Sequence, residues 1–251
     1  MLFFGVYVFI IGLIFGSFYN VVGLRAPKSE GFFTSRSKCP QCAHMLTWVE
    51  LVPVFSYAIQ KGRCRMCQEK IAWMYPVVEI STALLFVCSY VVFDYSVELI
   101  VSICFMSLLM IVFVTDITYM IIPDKVLVYF LPLFIILRAI EPLTPWYDSV
   151  VGAVVGVGII AVIIFVSRGG MGAGDMKLFG VIGVVLGVKK TVLAFLLSTL
   201  SGAVISGVLL AFGIIQRNKP IPFGPFIIFG SIVAYFIGDS LIDWYVTTFF
   251  R

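Results

Sequence analysis

Two aspartates in a chain with few charges pose the first chemical question. Asp116 closes the apolar run LLMIVFVTD, and Asp175 lies in RGGMGAGDMK at the start of another apolar stretch. An ionisable side chain at membrane depth is costly, so each is a functional candidate by default. Both fall at the same predicted end of their helices, so they can meet across a bundle although 59 residues separate them. Two close carboxylates do not both ionise cheaply. One keeps its proton while the other takes one from water, which is the acid–base pair of aspartic proteolysis. Their titration then belongs to the pair rather than to either residue. Gly172 and Gly174, in Gly172-Ala173-Gly174-Asp175, admit close backbone approach and leave room beside the carboxylate for an extended peptide. Arg168 and Lys177 flank this turn. Either aspartate could instead be a cap in contact with water, an ordinary place for Asp at a helix N-terminus. Asp124, which follows Pro123 and opens a helix, fits that structural role better.

A second constellation is made of sulfur. Cys39-Pro40-Gln41-Cys42 is followed after 21 residues by Cys64-Arg65-Met66-Cys67. Four thiolates in two CxxC pairs match a closed, tetrahedral structural zinc site. Lys38, Arg63 and Arg65 favour the thiolate forms. Disulfide or redox chemistry is disfavoured by the cytoplasmic location predicted below. The loop has too little apolar sequence for a core, so metal would supply much of its folding energy. His44, the one histidine, stands two residues after Cys42 and could compete as a ligand, but the four cysteines already fill the site. Cys88 and Cys104 lie within apolar spans and read as small apolar residues.

Positioning these groups requires a membrane bundle. Of 251 residues, 61% are hydrophobic and 12% charged, and the mean hydropathy is +1.12. Soluble domains carry about 25% charged residues, so this chain cannot cover a water-facing surface. Apolar runs near 3–24, 76–93, 97–115, 125–140, 148–167, 176–188, 191–215 and 223–246 give about eight transmembrane helices. The short, Gly-rich 176–188 run is a candidate partial helix. The first run has no basic flank and no convincing cleavage site, so it reads as an uncleaved span. No internal repeat is evident.

The large polar interruption, residues 25–72, holds eight of the 17 Lys+Arg residues. With the N-terminus outside, thirteen basic residues fall on inner segments. Four fall on outer ones: Arg138, Lys189, Lys190 and Arg251. The positive-inside rule therefore places the polar loop and both aspartates on the cytoplasmic side, with Lys189 and Lys190 as the local disagreement. The net charge of +4 reports this topology rather than a nucleic-acid footprint.

With these residues placed, the sequence resembles the type IV prepilin peptidase family, GxGD-type aspartyl proteases of which many members also N-methylate the new N-terminus. The resemblance runs through Gly16-Ser17-Phe18-Tyr19-Asn20-Val21 with Arg25 and Pro27, and then the CxxC…CxxC loop with Lys61-Gly62-Arg63-Cys64. It continues with Tyr75-Pro76-Val77-Val78-Glu79, Asp116…Ile122-Pro123-Asp124, Gly172-Ala173-Gly174-Asp175-Met176-Lys177 and Pro222-Phe223-Gly224-Pro225. The compact chain and its GDMKLF stretch are most similar to the competence-linked members of Gram-positive bacteria.

The resemblance implies Asp116 and Asp175 as the catalytic dyad, and Cys39, Cys42, Cys64 and Cys67 as the zinc ligands. It implies a multi-pass protein of the bacterial cell membrane, embedded in lipid, acting on prepilin-like proteins of type IV pilus, competence or secretion systems. Cleavage would follow a Gly at the cytoplasmic face, and methylation would use S-adenosylmethionine. No Gly-rich dinucleotide-type motif stands in residues 25–72 to mark a methyl-donor site, and Leu24-Arg25-Ala26-Pro27 departs from the more usual tyrosine-containing version. The expected division is a first transmembrane helix over 1–24, a cytoplasmic zinc domain over 25–72 that would be the N-methyltransferase part, and a transmembrane aspartyl peptidase domain over 73–251. No nucleic-acid partner is expected. A proton-coupled transporter is the alternative, but it requires matching halves with broken helices and leaves the cysteines unexplained.

Overall fold

The computed structural model describes residues 2–28, 36–167, 170–214, 216 and 221–249. Arg168, expected beside the Gly172–Asp175 turn, lies outside them, as do Arg217, Lys219 and Arg251. The described chain is all-α: α1 Leu2–Arg25, a 3-10 turn Val49–Leu51, α2 Phe55–Ile59, α3 Met74–Phe93, α4 Val97–Tyr119, α5 Asp124–Ile140, α6 Asp148–Val166, α7 Ala173–Ala211 and α8 Gly224–Phe249. Six of these (α1, α3, α4, α6, α7 and α8) are long and apolar enough to cross a membrane. Helix α6, DSVVGAVVGVGIIAVIIFV, is rich in β-branched residues that disfavour helix in water. In hydrocarbon the helix satisfies every backbone group internally, and that requirement overrides propensity.

Two compact units divide the chain, Met1–Thr115 and Asp116–Arg251. In the first, α1 packs on α3 through glycines. A side chain at Gly12 would strike the Ala83 backbone, and one at Gly16 would strike Glu79 Cα. Tyr19 and Ser107 share a 2.5 Å hydrogen bond. The buried Asn20 donates to the carbonyls of Gly16 and Tyr75. Small residues at such crossings let backbones approach closely where no hydrophobic driving force separates helix from lipid.

The second unit turns on α7. Its 39 residues would run roughly 58 Å if straight, yet the rings of Phe179 and Phe195, sixteen positions apart, lie 6.0 Å from each other. The chain therefore doubles back, at Gly187, where φ is +73°. The hairpin separates residues 173–186 from 188–211, the division expected from sequence. With α5, 17 residues long, the apolar helical segments among the described residues number eight.

The arm 173–186 is only about 21 Å long, so the reversal leaves backbone groups that hydrocarbon cannot solvate. Three of them find a side chain. Buried Arg138, 7% exposed, donates from Nε and Nη2 to the Val185 carbonyl at 3.1 and 2.7 Å. Asp148 Oδ1 accepts from Val188 N–H at 3.3 Å, and the Thr191 hydroxyl donates to Gly187 O at 2.6 Å. Close by, the Lys190 ammonium pairs with Asp239 at 2.7 Å. Arg138→Leu removes both donors to Val185. We expect it to cost about 1–3 kcal/mol, read as a lower unfolding midpoint in detergent micelles, with Arg138→Lys recovering part of the loss.

Candidate active site and metal centre

Both candidate aspartates line one cavity of about 670 Å3 within the second unit. Asp116 sits three residues before the end of α4 and is buried. Its Oδ2 accepts the Gly224 N–H at 2.8 Å, and Gly224 is the first residue of α8. The carboxylate thus occupies the positive end of that helix. Asp175 sits three residues past the N-cap of α7, and its Oδ2 accepts the Gly172 N–H at 3.1 Å. Each carboxylate is therefore held through one oxygen by a glycine N–H at a helix start. Their charges are close enough to interact. Apolar side chains, Ile121, Ile122, Ile163 and Phe223 among them, line much of the cavity, with Ser167 and Thr199 also on its wall.

Gly172 and Gly174 both line the cavity. A Cβ on Gly174 would lie 3.1 Å from Ile122 Cβ, so this glycine serves the approach of α7 to the Ile122–Asp124 segment. A Cβ on Gly172 would make only ordinary contacts, with Asp175 Oδ2 at 3.4 Å and Gly174 N at 3.9 Å. Gly224, with no role expected from the sequence, is the tightest of the three: its Cβ would fall 2.5 Å from Asp116 Oδ2. The signal for it lies in Pro222-Phe223-Gly224-Pro225, a glycine between prolines just before an apolar run. Asp124 also lines the cavity, but its carboxylate takes two hydrogen bonds from Lys177 Nζ, at 2.8 and 2.7 Å.

In the first unit the four cysteines converge. Their sulfurs all lie within 4.8 Å of one another, with Cys39–Cys67 at 3.8 Å and Cys42–Cys64 at 3.9 Å. Tetrahedral zinc with bonds of about 2.3 Å sets its sulfurs about 3.8 Å apart, so the donors fit. Two equivalent turns build the cluster. Cys39 N–H donates to His44 O and Ala43 N–H to Cys39 O; Cys64 N–H donates to Glu69 O and Gln68 N–H to Cys64 O. Ala43 and Gln68 both take positive φ, and the bridges Lys38–Met45 and Arg63–Lys70 close the two loops. This local repeat is not evident in the sequence.

Backbone N–H groups of Cys42 and Gln41 bring the Cys39 thiol down to about 7, and those of Cys67 and Met66 lower Cys64. Cys67 has the Glu69 N–H pulling it down, but desolvation within the cluster and the three neighbouring sulfurs push it up to about 12. A divalent cation relieves that crowding. His44 is not in the cluster; its Nε2 lies 3.4 Å from Glu50 Oε2.

Residues 10–93 match the Bacterial Peptidase A24 N-terminal domain, and residues 103–207 match the Type IV leader peptidase family. The chain is 45% identical to a prepilin leader peptidase/N-methyltransferase of Bacillus subtilis (strain 168), over 95% of this chain and 96% of that protein. It is 31% identical to the protein of the same description from Aeromonas salmonicida (strain A449), over 96% and 93%. No solved structure matches significantly. Nothing in these relationships supports a transporter. With matching descriptions over both halves and near full-length identity of this level, the chain belongs to the type IV leader peptidase family.

Proposed function

We infer that this protein is a membrane aspartyl endopeptidase that removes the leader of prepilin-like substrates after a Gly and methylates the new N-terminus. The observation that carries the cleavage is the pairing of Asp116 and Asp175 on one cavity, each fixed by a glycine N–H. In the reaction one carboxylate takes a proton from water while the other, protonated, donates to the scissile carbonyl oxygen. The hydroxide adds to the carbonyl carbon. The tetrahedral adduct then breaks its C–N bond as the first carboxyl passes its proton to the leaving amine and the second takes one from the adduct's hydroxyl, which restores the pair.

The basic-residue count supports a cytoplasmic position for the dyad, at the depth where a substrate's apolar helix meets its polar leader. The proposed division remains a first span over 1–24, a zinc-bearing cytoplasmic segment over 25–72 and a peptidase body over 73–251. Cys39, Cys42, Cys64 and Cys67 hold zinc for structure. The methyl group comes from S-adenosylmethionine, as the relatives' names imply.

Purified protein incubated with a prepilin-like substrate should release the leader, read by mass spectrometry. The mature product should gain one methyl mass only when S-adenosylmethionine is present. An intact substrate under conditions where a relative cleaves it would sink the reading. Gly224→Ala should lower turnover by about 100-fold, because the added carbon displaces Asp116, while insertion and expression stay normal. Gly172→Ala, whose Cβ makes only an ordinary contact, should retain far more turnover in the same assay.

A further inference from the structure

In the segment between α1 and α3 the usual placement of polar and apolar side chains is inverted. Glu50 is 8% exposed and accepts from the Thr47 N–H and hydroxyl, both at 2.8 Å. Its neighbours in the same short turn face out: Trp48 is 91% exposed, and Val49 and Leu51 are exposed too. Helix α2 repeats the pattern. Phe55, Ala58 and Ile59, spaced as one helical face, are exposed, Ile59 at 76%, while Ser56 and Tyr57 are partly covered. Trp73, the residue before α3, is 70% exposed. A water-facing lobe orients such residues the other way.

We propose that this apolar face, Trp48 to Ile59 with Trp73, is an in-plane membrane anchor that lies in the headgroup region of an anionic bilayer and holds the zinc lobe flat against it. Two observations choose lipid as the occupant. The first is continuity. The lobe leaves α1 at Arg25 and enters α3 at Met74, both ends of membrane-spanning helices, so it is tethered to the bilayer surface at both ends. Trp73 stands at that junction, where tryptophan's amphipathic ring favours the interface. The second is charge. Lys38, Lys61, Arg63, Arg65 and Lys70 are all exposed on the same lobe, with Glu69 as the acidic residue among them. Such a basic set is attracted to anionic headgroups, and an apolar face of this kind inserts about 5–10 Å.

The test is made on the full chain in lipid nanodiscs. Phe replaces Trp73, Trp146 and Trp244, leaving Trp48 as the one tryptophan, excited selectively over the tyrosines, and zinc content verifies the lobe. Phosphatidylglycerol-containing discs whose acyl chains carry bromine near the headgroup should quench Trp48 emission at least about twofold, and deep bromines should quench less. Should the triple variant lose zinc, the same quantity is read as the difference between the native chain and Trp48→Phe. Unquenched emission, at any wavelength, overturns the anchor, because the face is then in water or against protein. Equal quenching in discs of phosphatidylcholine alone overturns the requirement for anionic lipid.

Discussion

Asp116→Asn and Asp175→Asn are each expected to reduce cleavage of a prepilin-like substrate by at least about a thousandfold, with membrane insertion unchanged. The amide keeps the shape of the carboxylate, and its oxygen still accepts the Gly224 or Gly172 N–H, so the local fold survives. What it loses is the proton. An Asn at either place neither takes a proton from water nor delivers one to the carbonyl oxygen, and one working carboxylate cannot fill both roles. The geometry separates these two from the third carboxylate of the cavity. Asp124 is tied by two short hydrogen bonds to Lys177, and its side chain is 63% exposed. Asp124→Asn should therefore keep most activity. Equal quantities of each variant in membranes, assayed by leader release, decide it. A cleaving Asp116→Asn enzyme beside an inactive Asp124→Asn enzyme would move the role to Asp124.

Features encoded in short spacings are legible in the amino-acid sequence itself. The two CxxC pairs, the apolar runs and Gly172-Ala173-Gly174-Asp175 are contiguous patterns, and their chemistry follows from residue type. The division of α7 is legible too, because Gly187 and the lysines after it interrupt the apolar run. What escapes the sequence depends on partners far along the chain. Arg138 reads as an outer-turn charge because its partner, the Val185 carbonyl, is a backbone group freed only when the chain reverses at Gly187. The counter-charge of Lys190, Asp239, likewise stands 49 residues further along. Gly224 carries no role in the sequence because the space it leaves is filled by Asp116, 108 residues earlier. The lobe's apolar residues are in plain view, but their outward orientation is not. That orientation follows from how the Thr47–Glu50 turn and α2 are wound.

Removing the metal should have the other large effect, confined to the cysteine lobe. Among its described residues only Cys39, Glu50, Gly62 and Cys64 are buried, so no apolar core exists to hold the two turns together. Its one α-helix has five residues, too few to persist alone. Zinc bound by four thiolates contributes about 10–16 kcal/mol in small domains of this kind. It therefore supplies nearly all the folding energy here. We expect about one zinc per chain, lost in Cys39→Ser and Cys64→Ser. In those variants protease should cut within residues 36–72, while the helical signal of the membrane spans stays. The four cysteines should not be equivalent. Cys39 and Cys64 are buried and carry the backbone N–H donors that favour their thiolates, whereas Cys42 and Cys67 are exposed. Serine at 39 or 64 should thus weaken zinc retention against a chelator more than serine at 42 or 67. Metal analysis and limited proteolysis of the four variants measure both effects. A metal-free chain whose lobe still resists protease would show that something other than zinc folds it.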